Sequence, residues 1–439
     1  MAESPQAAST PTRVRHVVVG LALSVMAVAY LDRVCIAVAA PRLRNDIHLT
    51  DTELGYVFSA FTLAYALFEI PGGWLADRFG ARLMLARIVL WWSAMTALTG
   101  AATGFWSLVS VRFLFGMGEA GLLPTLARAF RQWLPPLEAG RAFGLTVMAG
   151  AVAGALSQPL VATMLEVMSW RWSFVVFGLV GVAWVAVWLR LFYEHPHDNP
   201  RINAAELALI GSAREHSVQH KLTLAIFADR RVLALCLMYF LVIYGWYFFL
   251  TWLPTYLIQE RGFQLWEAGY LAALPLLAIA VGVAAGGWVS DIASRRWGES
   301  FGRRLPAFVG LPLAAVCTVA GLWAQNPWLS TVSLSAAGGC AALCVAPAWA
   351  VCAGIGGRHA GSVTGAMNMC GNFGGALNSV VVGWSRDAFG SWAPPLLSMA
   401  AAYFAATILW VIVYPLQPSG ARAPGEHVVA RGGRPNADD

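Results

Sequence analysis

Residues 73–82 read Gly-Trp-Leu-Ala-Asp-Arg-Phe-Gly-Ala-Arg, and the opening pentad returns 214 positions later as Gly287-Trp288-Val289-Ser290-Asp291. Each copy closes a long apolar run and precedes basic residues: Arg78 and Arg82 in the first half, Arg295, Arg296, Arg303 and Arg304 in the second. The offset is close to half of the 439-residue chain, so the echo reads as an internal repeat.

Outward from the pentads, twelve apolar runs approach the roughly 20 residues that cross a hydrocarbon core. They lie at about 16–40, 53–76, 82–101, 106–130, 141–165, 172–193, 232–258, 266–290, 304–324, 328–353, 361–385 and 392–415. The long polar stretch 194–231 holds Pro196, Pro200, His195, His197, His216, His220 and Lys221, the chain's one lysine, and divides the runs six and six. The expected organisation is a tail over 1–15, a six-helix bundle over 16–193, a linker over 194–231, a second bundle over 232–415 and a tail over 416–439. Composition agrees: 58% of residues are hydrophobic and 12% charged, with mean hydropathy +0.62. A soluble domain is nearer 45–50% apolar and about 25% charged. The 43 Gly, 22 Pro and 20 Trp suit helices in lipid. This composition disfavours a cytosolic enzyme, a disulfide scaffold and a disordered chain. The first run is too long for a cleaved signal peptide and carries Asp32-Arg33 in its second half. No segment alternates as a membrane-barrel strand does. The expectation is an all-α membrane protein of twelve transmembrane helices in two bundles related by a pseudo-twofold repeat.

Basic residues orient it. With the N-terminus inside, inner loops and tails take 22 of the 29 Arg and Lys, Arg87 among them, outer loops take five, and Arg33 and Arg112 remain in the membrane. Both termini are then cytoplasmic. The positive balance reports topology, and nucleic acid is not an expected partner. The seven cysteines lie in apolar stretches without CxxC spacing, so they read as small packing residues, and no metal is expected. No phosphate loop, H-E-x-x-H, G-x-S-x-G or dinucleotide fingerprint occurs, so nothing argues for an enzyme or a cofactor.

Asp32, Arg33, Arg112 and Glu119 sit deep within runs, where each charge costs at least about 2.5–3.5 kcal/mol. Arg112 and Glu119, seven apart, share one helix face at about 10 Å. Asp32 and Arg33 point roughly 100° apart on theirs. The economical arrangement has Asp32 and Glu119 share Arg112 and leaves Arg33 to face a cavity. A static ion-pair cluster is the alternative, but buried pairs are poor sources of stability relative to apolar packing. Burial favours a neutral carboxyl and a neighbouring Arg an ionised one. A group between those influences can load and release a proton when its partner moves. Glu69, just before Pro71-Gly72-Gly73, reads as a cap, an interfacial residue or a coupling group. Asn368 and Asn372, four apart and flanked by Gly, need partners, either a hydroxylated substrate or another helix. Tyr65, and Tyr239, Tyr244, Trp246 and Tyr247, could line a pocket or serve packing and interface roles.

Residues 73–82 resemble the loop 2–3 signature of the major facilitator superfamily, G-x-x-x-D-R-x-G-x-R. Tyr30-Leu31-Asp32-Arg33, the stretch from Arg112 through Glu119 to Pro124, and Thr251-Trp252-Leu253-Pro254-Thr255-Tyr256-Leu257 are similar to motifs of its anion:cation symporter family. The sialin, hexuronate, galactonate, glucarate and phthalate carriers belong there. The resemblance runs through most of the chain and implies the major facilitator fold and proton-coupled symport of a small organic carboxylate such as a sugar acid. It implies Asp32 and Glu119 as the proton carriers with Arg112 as partner. Arg33 would meet the substrate carboxylate, with Tyr30, Tyr65, Asn372 and Asn368 toward its hydroxyls. Asp77, Arg78, Arg82 and Asp291 would form the cytoplasmic gate. The chain departs from the pattern at Cys35 and Glu69, and at Gly150, near which some sugar-acid carriers place a polar group; Gln158 is the substitute, or else a packing residue beside Pro159. The expected partners are an organic anion, protons in preference to Na⁺, and lipid, for a monomer in a bacterial inner membrane. An organic-phosphate antiporter, which would need a second midspan cation in the C-terminal half, and a non-transporting sensor are the alternatives.

Overall fold

A computed structural model describes residues 10–211, 228–356 and 360–413. His216, His220 and Lys221 of the linker and the whole of the 416–439 tail lie outside the described residues, as does most of the 1–15 tail.

Every element among the described residues is helical. In chain order these are α1 (Val14–Ile47), α2 (Asp51–Phe79), α3 (Ala81–Thr99), α4 (Phe105–Glu119), α5 (Leu122–Trp133), α6 (Pro136–Val167) and α7 (Trp170–Leu191). A 3-10 turn at Pro196–Asp198 and the short α8 (Ala204–Gly211) follow. The second half holds α9 (Arg230–Thr251), α10 (Leu253–Gln259), α11 (Leu265–Trp297), α12 (Glu299–Trp323), α13 (Pro327–Ala342), α14 (Val345–Gly356), α15 (Ala360–Phe389) and α16 (Ala393–Val413). Among the described residues, ten segments are long and apolar enough to cross a membrane, α13 and α14 counting as one. With α4–α5 and α15 packed among them, the layout is compatible with twelve passes. Several helices outrun their apolar cores: α1 continues to Ile47 and α11 to Trp297, carrying charged residues that hydropathy alone does not include.

The repeat is visible in the backbone. α2 starts at Asp51 and α11 at Leu265, the same 214-residue offset as the pentads. Each ends in a glycine of positive φ, Gly80 (81°) and Gly298 (88°), where a side chain would be strained. Those two are 218 apart, so the second copy is about one turn longer. A Cβ on Gly72 would lie 2.7 Å from Cα of Gly121, at the break between α4 and α5. Gly286, again 214 residues on, backs onto Leu343 at the break between α13 and α14. In each half a glycine lets the helix press backbone to backbone on a neighbour's broken turn.

α2 opens with a capping box: Thr50 Oγ1 accepts from the Glu53 N–H at 3.1 Å and Glu53 accepts from the Thr50 N–H at 2.9 Å. This is the end away from the linker, and here the two halves are in contact. Asp387 of α15 accepts the N–H groups of Asp51 (3.2 Å) and Thr52 (2.7 Å), in the first turn of α2. Arg44 pairs with Asp51 at 2.8 Å and Arg386 approaches it at 3.8 Å. A Cβ on Gly55 would stand 2.5 Å from the Ser379 carbonyl, and Phe58 meets Trp252 edge to face at 5.4 Å. On α11, a Cβ at Gly269 would come 3.1 Å from the Gln158 carbonyl.

Candidate functional site

α1 brings Tyr30, Asp32 and Arg33 to the interior, α2 brings Phe61, Tyr65 and Glu69, and α4 brings Arg112 and Glu119. Arg33 donates from Nε at 2.6 Å to one oxygen of Glu119, Oε1, and its Nη2 forms an ion pair with the same oxygen at 2.5 Å. Its guanidinium carbon lies 4.8 Å from the Tyr65 ring centre, 5.2 Å from Phe61 and 5.4 Å from Tyr30. The Arg33 side chain keeps 20% exposure while Glu119 has none, so the pair has a solvent-reachable cation and a dry anion.

This differs from the arrangement expected from sequence. Glu119 pairs with Arg33, and Arg33 is engaged, not open. The reason is helix geometry: Glu119 ends α4, immediately before the Ala120–Gly121 break, which the two-turn spacing to Arg112 does not reveal. Arg112 is 2% exposed and lies 4.6 Å from the Phe115 ring centre and 5.3 Å from Phe61. Phe61 is thus shared by two guanidiniums, a role absent from the sequence reading because a Phe in an apolar helix carries no signal of its own. Both Asp32 oxygens, Glu119 Oε2, and Nε and Nη1 of Arg112 are buried without a hydrogen-bond partner. Asp32 lies within Coulombic reach of Glu119 and Arg112. The cluster is largely buried and leaves these polar atoms without protein partners, which a purely structural ion-pair network would avoid.

Asn368 Nδ2 donates to both oxygens of Glu69, at 2.8 and 2.9 Å, joining α15 to α2 across the halves. Asn372 donates to the Asn368 carbonyl and accepts from the Tyr247 hydroxyl, both at 3.1 Å. Tyr239 and Tyr244 are buried as well, bonded to Trp349 and Ser398 respectively, so they and Tyr247 are interior and not lipid-facing. Tyr30 fills a notch on α6: a Cβ at Gly150 would lie 2.6 Å from its ring, and one at Gly154, 2.9 Å. Gln158, two turns from Gly150, is fully buried with both amide atoms unpartnered. Cys35 is buried beside Asp32 and Arg112.

At the linker end, Asp77 accepts from Arg128, which lies 3.6 Å from its carboxylate and 3.0 Å from its carbonyl; Arg131 is at 4.0 Å. Arg78 does not join them; it lies 5.6 Å over Trp74 and 5.5 Å over Phe79. Arg82 donates to the Leu189 carbonyl at 2.7 Å. Glu194, which the sequence reading left in the linker, completes this cluster. It accepts the N–H groups of Ala81 (3.1 Å) and Arg82 (2.8 Å), an amide proton of Gln132 (3.2 Å), and lies 3.5 Å from Arg128. Partial burial pushes the Glu194 carboxyl up, but these donors and the nearby guanidinium outweigh it and hold the group below its ordinary range. In the other half Asp291 pairs with Arg303 at 2.7 Å.

A helical membrane protein of repeated halves, with unsatisfied charges held at mid-depth, has the build of a secondary transporter. The chain belongs to the Major Facilitator Superfamily, whose family model matches residues 22–379. It is a membrane transporter and is grouped with the anion:cation symporter type. It is 34% identical to the "Probable sulfoacetate transporter SauU" of Cupriavidus necator, over 92% of this chain and 95% of the relative. It is 31% identical to the D-galactonate transporter of Escherichia coli (93% and 97% covered) and 32% identical to the hexuronate transporter of Bacillus subtilis (90% and 94%). The fold matches a solved bacterial homolog of the human lysosomal transporter Spinster with TM-score 0.72, at 19% identity, over 92% of this chain and 96% of that one.

Proposed function

We propose that this protein imports a small organic carboxylate, of the sugar-acid or sulfo-acid kind its relatives carry, together with protons, by alternating access. Its relatives' names support the substrate class, and one observation carries the coupling: the Arg33 guanidinium that would meet a substrate carboxylate already holds a buried one, Glu119, by a hydrogen bond from Nε and an ion pair from Nη2. Protonation of Glu119 removes the anion from Arg33 and frees the guanidinium fork for the substrate. The substrate then replaces the charge that the proton cancelled, so Arg33 stays neutralised while bundles 16–193 and 232–415 rock about the site. Asp32, within Coulombic reach of Arg112 and Glu119 but hydrogen-bonded to neither, is the second proton carrier, with Tyr30, Tyr65, Asn368 and Asn372 toward substrate hydroxyls. Gln158 is the remaining polar candidate on α6. Asp77, Arg78, Arg82 and Asp291 belong to the gate at the linker end. In this reading that end is cytoplasmic, the chain works as a monomer, and the membrane is a bacterial inner membrane.

The test is uptake into proteoliposomes with an imposed pH gradient, inside alkaline, screening sugar acids, uronates, aromatic acids and sulfonated acids. One class should accumulate only with the gradient. Glu119→Gln and Asp32→Asn should lose proton-driven accumulation while keeping exchange of loaded substrate. Full gradient-driven accumulation by both variants would remove the proposed carriers.

A further inference from the structure

Along α3, the exposed residues Leu83, Arg87, Leu90, Ala94 and Leu98 recur at helical spacing and form one outward stripe, facing lipid in a membrane transporter. Arg87, which the sequence reading counted with the inner loops, lies inside this stripe, seven residues beyond the Gly80 turn. That is about 10 Å along the helix. Trp74, 59% exposed, lies six residues before the same turn on α2, so an interfacial aromatic and the charge share one depth. Among the described residues, Arg87 bonds only the Met84 sulfur, at 3.4 Å, and no carboxylate is within ion-pair distance. An exposed guanidinium at this depth extends toward the headgroups and meets their phosphates, because an unpaired charge facing hydrocarbon is costly.

The space beside it fits that occupant. A groove of about 520 Å³ between α2 and α3 is lined by Leu75, Phe79, Leu83, Met84 and Arg87. Four apolar walls and one cation at the headgroup level match an acyl chain topped by a negative phosphate. We propose that this groove binds one anionic phospholipid, its phosphate on Arg87 and an acyl chain along Leu75, Phe79 and Leu83. The site is independent of the transported anion, and its occupant packs against the helix that carries Asp77.

The experiment uses the full-length transporter, purified and delipidated in neutral detergent. Phosphatidylglycerol, phosphatidylcholine of the same chains, or inorganic phosphate is added, and bound lipid is counted by native mass spectrometry alongside the melting temperature. One phosphatidylglycerol should be retained at a concentration about fivefold below that needed for phosphatidylcholine, as expected for one interfacial cation, and inorganic phosphate should have no effect. Arg87→Gln should erase that preference. Leu83→Glu, which puts a negative charge one turn away on the same exposed stripe, should erase it too without touching the interior. An undiminished preference in either variant, or equal stabilisation by inorganic phosphate, overturns the proposal.

Discussion

Asn368 holds both oxygens of Glu69 through a single amide nitrogen, and the two residues stand 299 positions apart on opposite halves. A hydrogen-bonded pair therefore joins the two halves, across the surface that would have to part in the proposed alternating access. Asn368→Ala should leave Glu69 without this partner and reduce initial uptake about tenfold. Asn368→Asp should be worse at pH 7.5, since two carboxylates would face each other, and should recover as the medium is acidified and one proton is shared. Initial rates between pH 5.5 and 7.5 check this; identical profiles for the two variants would dismiss the contact as functional.

Arg33 turns two nitrogens of its planar fork, Nε and Nη2, to one oxygen of Glu119, and lysine has no such fork. Arg33→Lys should therefore recover little of what Arg33→Ala loses, with kcat/KM at least about tenfold below the parent. Substrate titrations with concentration-dependent uptake measure it, and parity between Arg33→Lys and the parent would argue against carboxylate recognition at this residue.

Phe61 stands between two cations, 5.2 Å from the carbon of one guanidinium and 5.3 Å from the other. Phe61→Leu keeps the apolar volume approximately and removes both ring contacts. A loss of about 1–2 kcal/mol in transition-state stabilisation, roughly five- to thirtyfold in kcat/KM, is expected. Phe58→Leu, which lacks these cation contacts, is the control and should change uptake less.

Gly55 makes room for the Ser379 carbonyl at the end away from the linker. Gly55→Val should hold that end apart, so uptake falls at least about tenfold while substrate still binds. Spin labels on cysteines introduced at Tyr56 and Ala388 should report a longer distance in the variant, and an unchanged distance with normal uptake would refute the role of this contact.

Glu194 ties the start of α3 to Gln132 and Arg128 of α5. Because its folded pKa lies below the unfolded one, its stabilisation is complete above the unfolded value and vanishes as pH falls through the folded value. Glu194→Gln should cost about 1 kcal/mol at pH 7, as for a lost helix cap. The difference in melting temperature should narrow below about pH 4. A gap that stays constant into acid would mean the charge is not responsible.

Apolar length and the repeated pentad made the helical, two-part architecture readable, because lipid demands them of any such chain. The helices' polar ends were not readable, since α1 and α11 run on past the apolar window. At the site, four intramembrane charges announced themselves by their cost, and the Asn368–Asn372 spacing announced a shared face. Their partners did not: which carboxylate Arg33 meets depends on where α4 breaks, and Glu194 looks like an ordinary linker acid until the chain brings it back to α3. Such pairings are set by contacts between distant segments, and no local spacing encodes them.

The seat of Tyr30 against Gly150 and Gly154 gives the molecule a lever for redesign. Any residue bulkier than glycine at 150 would displace the phenol from its notch, and that phenol is one of three rings that surround Arg33. With Tyr30 against the substrate, as proposed, cargo preference becomes adjustable from the back of the ring, with every charged group of the machinery left in place.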